Sequence, residues 1–271
     1  MLSLAIIPSL FLLFFIYKKD KREKEPLKKL FGCFLFGVII IVPILIMETV
    51  TELIFENFTT EGSIAYAIVD GFIVAALAEE LFKYLALKKR TWKSPDFNCT
   101  FDGIVYSVFV SLGFATFENI MYVMDGGLST AILRMFTSVP GHACDAVYMG
   151  YFYSLAKKFS LAGDKKSEKK YKRLALFVPI MLHGLYDCLI SFEESVVGEA
   201  VVMLGILLWI TFIVALFIVT FLLVNKASKN DVYLPAYENP SFALKAGAWI
   251  CNKCRSINNG NFCPHCGSPK S

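Results

Sequence analysis

Long apolar stretches alternate with short charged segments along most of the 271-residue chain. About twenty consecutive apolar residues are enough for a helix to cross the hydrocarbon core of a bilayer. The pattern therefore predicts an all-α polytopic membrane protein with about seven transmembrane helices. The predicted spans are Leu2–Tyr17, Leu30–Val50, Ser63–Leu87, Phe101–Met124, Ala131–Ala156, Leu174–Phe192 and Ala200–Val224.

Lysine and arginine are concentrated in every second connection between these spans. Seven lie in Lys18–Lys29, four in Lys88–Thr100, eight in Lys157–Arg173 and six in the tail after Val224. Since such residues mark cytoplasmic loops, we expect the N-terminus outside and the C-terminus in the cytoplasm. A cleaved signal peptide is not expected, because the positive charges follow the first apolar run rather than precede it.

Composition agrees with a multi-pass protein of the cell membrane. Hydrophobic residues make up 56% of the chain and charged residues only 18%, which excludes an ordinary soluble domain. The bilayer is therefore an expected partner. The basic loops are explained by topology, and no nucleic-acid partner is expected.

Four of the eight cysteines are concentrated at the C-terminus. Two CxxC pairs can close a tetrahedron of thiolates around one structural Zn²⁺. The C-terminal segment is too short to bury a hydrophobic core. The metal must therefore supply the free energy that folds it. Two disulfides and an iron site are the alternatives. The predicted zinc ligands are Cys251, Cys254, Cys263 and Cys266.

The chain is thereby divided into three parts. Residues 1–224 form the predicted transmembrane domain, and 249–271 form the zinc ribbon. The stretch between them, 225–248, is polar and contains two prolines, which favours a linker. The ribbon offers a surface for a protein partner but indicates no activity by itself.

The third to sixth predicted spans each contain ionisable side chains. Each charged group costs about 2.5–3.5 kcal/mol at the bilayer centre even on the mildest scale, so these groups must face one another or a watery cavity. Such a cluster is a candidate functional site. Its members are Glu79, Glu80, Lys83, Glu118, His142, Asp145, His183 and Asp187.

Helical spacing supports convergence of these groups. Lys83 is four residues from Glu79 and three from Glu80, so it can pair with either. His183 and Asp187 are also four apart and share one helix face. Adjacent glutamates point about 100° apart on a helix, so we expect them to differ in role. A purely structural ion pair, or a Lys83 that extends to the membrane surface, is the alternative.

Three motifs, on the third, fourth and sixth predicted spans, carry a resemblance to a known family. They are EExxK (Glu79, Glu80, Lys83), FxxxE (Phe114, Glu118) and HxxxD (His183, Asp187). In this order they resemble the PrsW-type intramembrane proteases, within the superfamily of CAAX prenyl endopeptidases, from roughly Leu30 to Val224. The resemblance implies that Glu79 activates the attacking water, assisted by Glu118 or His142. It also implies that His183 and Asp187 bind water or stabilise the oxyanion.

The resemblance leaves the type of catalysis open. Prenyl endopeptidases carry a histidine where this chain has Glu118, so the second water ligand is undetermined. A general base and a hydrogen-bond donor for the oxyanion suffice for glutamate catalysis. A catalytic Zn²⁺ held by Glu and His is the alternative, although the sequence contains no HExxH motif.

Our first hypothesis is an intramembrane endopeptidase that hydrolyses a peptide bond in a membrane protein or lipidated peptide. Enzymes of the resembled family can begin regulated proteolysis of a membrane-bound anti-sigma factor. A proton-coupled transporter or channel is one rival, and it predicts an inverted repeat that the sequence does not display. A non-catalytic scaffold that recruits partners through its ribbon is another.

Three further expectations concern the positions of Arg134, Glu118 and His142. Arg134 is expected to be a solvated anchor near the outer interface. Counting 1.5 Å per residue from the cytoplasmic ends places Glu118 about 25 Å deep but Glu79 only about 13 Å. Pro140-Gly141, just before His142, suggests a broken helix there.

Overall fold

The computed structural model describes residues 2–192, 194–235, 249–251, 257–258, 261–263 and 266–270. This part of the chain is almost entirely helical, as predicted. The helices are α1 (Leu2–Lys19), α2 (Leu27–Ile39), α3 (Ile41–Phe55), α4 (Ile64–Val69), α5 (Leu77–Thr91), α6 (Asp102–Phe136), α7 (Ser138–Leu161), α8 (Lys165–Ile190), α9 (Glu194–Val197) and α10 (Glu199–Lys229), with a π-helical segment at Asp70–Ala76. In the tail, β1 (Trp249–Ile250) pairs antiparallel with β2 (Ile257–Asn258).

Five segments are long and apolar enough to cross a membrane. They are Leu2–Lys19, Leu27–Phe55, Asp102–Leu161, Lys165–Ile190 and Glu199–Lys229. Large apolar side chains on these segments point outward, and Phe11, Phe31 and Leu207 are each more than 60% exposed. Such exposure is expected only where lipid replaces water. The chain is an all-α polytopic membrane protein.

The number of crossings is less simple than the pattern suggested. The predicted fourth and fifth spans fall within the single stretch Asp102–Leu161. The predicted third span, Ser63–Leu87, is divided among α4, the π-helical segment and α5, and it carries several charges. Seven crossings, and their orientation, therefore remain predictions.

The predicted span Ala131–Ala156 is wrong as a single helix. α6 turns sharply at Gly127, whose φ of 71° and ψ of −151° suit glycine and strain other residues. The chain breaks again at Thr137, with φ −121° and ψ −70°, before α7 begins. The suggested break at Pro140 is thus three residues too late, because proline fits in the first turn of a helix. The turn at Gly127 returns residues 128–136 toward the first part of α6.

α6 occupies the centre of the bundle. Its first part is buried along nearly its whole length, and it packs against α1, α2 and α7. Among its largest fully buried side chains are Tyr106, Leu112 and Phe114. A helix that is apolar on every face must be surrounded in this way.

The first residues after α10 belong to the folded unit. α10 continues to Lys229, beyond the predicted boundary at Val224. The Val232 carbonyl then accepts a hydrogen bond from the Thr100 amide at 3.0 Å, and Leu234 donates to Asn98 at 2.7 Å. Residues up to Leu234 are therefore held to the bundle by these hydrogen bonds, and a linker can begin only after them. The remainder of the predicted linker, 236–248, lies outside the described residues.

Candidate active site

The π-helical segment positions the beginning of α5. Segments of this kind interrupt regular helices and are frequent at functional sites. Gly71 lies so close to α8 that a Cβ atom there would come 2.8 Å from the Cys188 backbone nitrogen. This close approach places the first turn of α5 beside the part of α8 that carries His183.

Lys83 binds both glutamates of the EExxK motif. Its Nζ lies 2.8 Å from Glu79 Oε2 and 2.7 Å from Glu80 Oε1. The same atom lies 3.2 Å from His142 Nδ1 and 4.5 Å from the centre of the Phe114 ring. Lys83 is only 1% exposed, so its ammonium does not extend to the membrane surface.

Two histidines complete the cluster. His142 of α7 and His183 of α8 are nearly perpendicular, with ring centroids 5.2 Å apart. The Nδ1 atom of each ring lies 3.9 Å from Glu79 Oε2. One potential ligand atom from each of Glu79, Glu80, His142 and His183 lies within 4.8 Å of the other three.

The second nitrogen of each histidine faces a further carboxylate. His142 Nε2 lies 3.0 Å from Glu118 Oε2, and His183 Nε2 lies 3.1 Å from Asp187 Oδ2. A carboxylate in this position fixes the ring orientation of a histidine. His183 Nδ1 also lies 3.0 Å from Glu80 Oε1, so both of its nitrogens face carboxylate oxygens. Only a protonated imidazolium can donate to both.

Arg134 is a member of the cluster that sequence reasoning missed. Its guanidinium donates to Glu118 Oε2 at 2.7 Å and to Asn119 Oδ1 at 3.0 Å. The expected solvated anchor is therefore wrong, since its side chain is only 14% exposed. The signal that could have revealed it is Gly126-Gly127, the turn that returns Arg134 to Glu118.

The depth difference between Glu118 and Glu79 does not separate them in the structure. His142 bridges them, with Nε2 toward Glu118 and Nδ1 toward Glu79. One reason is that α5 continues to Thr91, four residues beyond the predicted end of its span. Each added residue puts Glu79 about 1.5 Å further from that end.

A cavity of about 850 Å³ adjoins the cluster. Glu79, His142 and His183 line it, as do Glu118, Asp145 and Asp187. Glu80 and Lys83 do not line it. The two adjacent glutamates therefore differ as expected: Glu79 faces the cavity, and Glu80 lies behind it with no exposed surface.

The donor set suits a metal ion by its chemistry. Two imidazoles and a carboxylate are a usual ligand set of catalytic zinc, which keeps one position open for water. Glu79, His142 and His183 provide that set in the described residues. The Lys83 ammonium, however, already contacts Glu79, Glu80 and His142, so these donors are held by a cation of the chain itself.

A second cluster of potential ligands lies in the tail. The sulfur atoms of Cys251, Cys263 and Cys266 lie within 4.8 Å of one another, and those of Cys251 and Cys266 are 3.4 Å apart. Three converging thiols can bind a metal. Cys254, the fourth predicted ligand, lies outside the described residues.

Comparison with known proteins identifies the membrane part of the chain. Residues 25–224 match the model of the PrsW family intramembrane metalloproteases. The chain belongs to the PrsW family. Protease PrsW of Geobacillus kaustophilus is 37% identical over 194 residues, which cover 72% of this chain and 81% of that protein. No solved structure matches the chain.

Other PrsW relatives extend the match. Protease PrsW of Clostridioides difficile is 36% identical over 210 residues, covering 76% of this chain and 85% of the relative. That of Oceanobacillus iheyensis is 30% identical over 231 residues, covering 85% and 97%. The region that matches the PrsW family contains every residue of the candidate active site, and the cysteine-rich tail lies beyond it.

Proposed function

We propose that this chain is an intramembrane endopeptidase in which Glu79 activates the water that attacks the peptide bond. The observation that carries the proposal is the position of Glu79: its carboxylate borders the large cavity and lies 3.9 Å from both histidines. A general base must be within reach of a water molecule that also touches the substrate. Membership in the PrsW family supports the same activity.

The two histidines differ in protonation and hence in role. His183, between the carboxylates of Glu80 and Asp187, is cationic and donates a hydrogen bond to the oxyanion during attack. His142 accepts a hydrogen bond from Lys83 at Nδ1 and donates to Glu118 at Nε2, which is the pattern of a neutral ring. It positions the water, and Glu79 passes the proton that it takes from this water to the leaving amine.

Glu80, Lys83, Glu118 and Asp187 act by positioning. Glu80 holds His183, and Lys83 holds the Glu79 carboxylate toward the cavity. Glu118 and Asp187 fix the rings of the two histidines. Charge balance supports this division, because Lys83, His183 and Arg134 compensate most of the four carboxylates in an environment where uncompensated charge is costly.

A metal ion, as the family description implies, would be held by Glu79, His142 and His183. When bound, it would supply a Lewis acid and lower the pKa of its water. The effect of a chelator on cleavage distinguishes glutamate catalysis from metal catalysis.

We further propose a substrate class, an orientation in the membrane and a role for the tail. The substrate is a membrane protein or lipidated peptide, and a membrane-bound anti-sigma factor is a specific candidate. The Lys/Arg-rich loops and the C-terminus lie in the cytoplasm. The tail from Trp249 onward is a separate ribbon with a structural Zn²⁺, held by Cys251, Cys254, Cys263 and Cys266, and it binds a protein partner.

Cleavage by the purified full-length protein tests the function. The protein in detergent is incubated with a panel of single-span substrates, with and without a chelator, and products are identified by mass spectrometry. Cleavage within or beside the span of at least one substrate is expected. Persistence in chelator supports glutamate catalysis, and loss that Zn²⁺ restores supports metal catalysis. No cleavage of any substrate, with proton-coupled transport in vesicles instead, would establish the rival reading.

A further inference from the structure

The large cavity is acidic well beyond the catalytic cluster. Glu48 and Glu52, four residues apart on α3, and Asp70, at the start of the π-helical segment, also line it. None of the three forms an ion pair with a lysine or arginine of the described chain. They contrast with Glu79 and Glu118, whose charges Lys83 and Arg134 balance.

The acidic lining continues toward the connection between α3 and α4. A second cavity of about 200 Å³ shares Glu52 and Asp70 with the first and adds Glu56 and Glu61. Basic residues lie away from this connection, at the start of α2, which leads into α3, and in the last turn of α5. The surface is therefore an acidic path that leads from the far end of the bundle to Glu79.

A separate observation concerns a buried carboxylate that lines the same cavity. Asp145 of α7 is only 4% exposed and lines the larger cavity. Its Oδ1 atom has no hydrogen-bond partner in the described part of the protein. A buried carboxylate oxygen without a partner is costly, so a donor in the cavity would be stabilising.

The chemistry of the missing group can be narrowed. A divalent cation requires several oxygens around one point, and no group of three carboxylates in the described chain meets that requirement along this path. The acidic residues are instead spread over several helical turns. A spread of negative charge suits an extended ligand with positive side chains.

We propose that the acidic path recognises lysine or arginine residues of the substrate, on the side of the cleaved bond that faces the connection between α3 and α4. Glu52 and Asp70 form its outer part, and Glu48 and Asp145 its inner part. The inference rests on the proposed protease function, since it names the substrate class of that site. It predicts selection by charge, independent of the cleavage step.

Binding rather than cleavage tests the inference. The full-length chain with Glu79→Gln is titrated with three synthetic peptides, each with about twenty apolar residues and a short flank rich in lysine, glutamine or glutamate. The lysine peptide is expected to bind about tenfold more tightly than the glutamine peptide at low salt. Glu52→Gln with Asp70→Asn should remove this preference, and Asp125→Asn, an exposed acid outside both cavities, should not.

The reversed charge gives a second test. Glu52→Lys with Asp70→Lys should transfer the preference to the glutamate peptide, with folding checked by the thermal midpoint. Equal affinities for the three peptides, no binding of any, or a lysine preference that survives both double variants would overturn the inference. Charge-selective binding without cleavage by the unmodified chain would instead count against the proposed function.

Discussion

Arg134 donates a hydrogen bond to Glu118 across 2.7 Å, although the two residues are sixteen positions apart on the same kinked helix. The contact exists because α6 turns at Gly127 and returns. Glu118 in turn lies 3.0 Å from His142 Nε2. Arg134 therefore acts on the candidate active site through a carboxylate and a histidine, without itself contacting Glu79.

Arg134→Gln should lower kcat by about 10–100-fold and leave KM nearly unchanged, as expected when a group that orients a catalytic histidine is lost. Kinetics with a cleaved single-span substrate measure the effect, and Arg173→Gln, at an exposed position on α8, is the matched control. Arg134→Lys should restore part of the rate. A normal kcat in Arg134→Gln would show that Glu118 needs no cationic partner.

Lys83→Met should destabilise the protein by about 3–5 kcal/mol, because it leaves two buried carboxylates without their cation. Thermal unfolding in detergent measures the loss. The exposed Lys88→Met is the control, and adding Glu80→Gln to Lys83→Met should recover part of the stability. An unchanged midpoint would mean that the ion pairs contribute nothing to folding.

The sequence predicted most of the residues that cluster in the structure, but not the contacts between them. Charges at helical spacing inside apolar runs predicted that Glu79, His183 and Asp187 would meet, because no other arrangement avoids lipid. The position of Arg134 could not be read in this way. It depends on a glycine turn, and hydropathy is insensitive to a change of direction within an apolar stretch.

The depth estimate failed for a related reason. It assumed straight helices that begin where the apolar run begins, whereas α5 continues to Thr91 through the charged residues 88–90. Helix length there is set by hydrogen bonding and packing, since Thr91 is buried. The zinc ribbon was predicted from spacing alone, and its described cysteines converge as that spacing requires.

The free energy of unfolding should fall as pH rises through the neutral range. The cause is Glu25, a buried carboxyl group at the Lys/Arg-rich end of the bundle. Burial raises the pKa of Glu25, in the loop between α1 and α2, from 4.5 to about 8, with a smaller contribution from Asp20. The hydrogen bond from Tyr106 opposes this rise. Because the folded chain keeps a proton that the unfolded chain loses between these pH values, folding weakens as pH increases across this window.

Thermal unfolding at pH 5 to 8.5 measures this dependence, expected to reach about 1.4 kcal/mol per pH unit at most. Glu25→Gln should flatten the profile, and the exposed Glu199→Gln should leave it unchanged. A profile that rises with pH, or that is the same in Glu25→Gln, would assign the dependence to other groups.

The tail should account for one bound zinc per chain. Cys251→Ser with Cys263→Ser is expected to lower the zinc content of the purified protein by about one equivalent, since a tetrahedral site does not survive the loss of two thiolates. Atomic emission measures the metal, and Cys33→Ser, at a buried membrane position, is the control. If the double variant keeps the full zinc content, the tail is not the zinc site. Disulfides between the tail cysteines in protein purified under reducing conditions would establish the disulfide alternative.

The most direct test compares the two adjacent glutamates in one assay of substrate cleavage. Glu79→Gln should reduce kcat by about a thousandfold or more, because it removes the base that borders the cavity. Glu80→Gln, which alters the support of His183 and one ion pair of Lys83 but keeps the base, should reduce it by about 10–100-fold. Cleavage at the normal rate by folded Glu79→Gln would contradict the account, whatever the behaviour of Glu80→Gln.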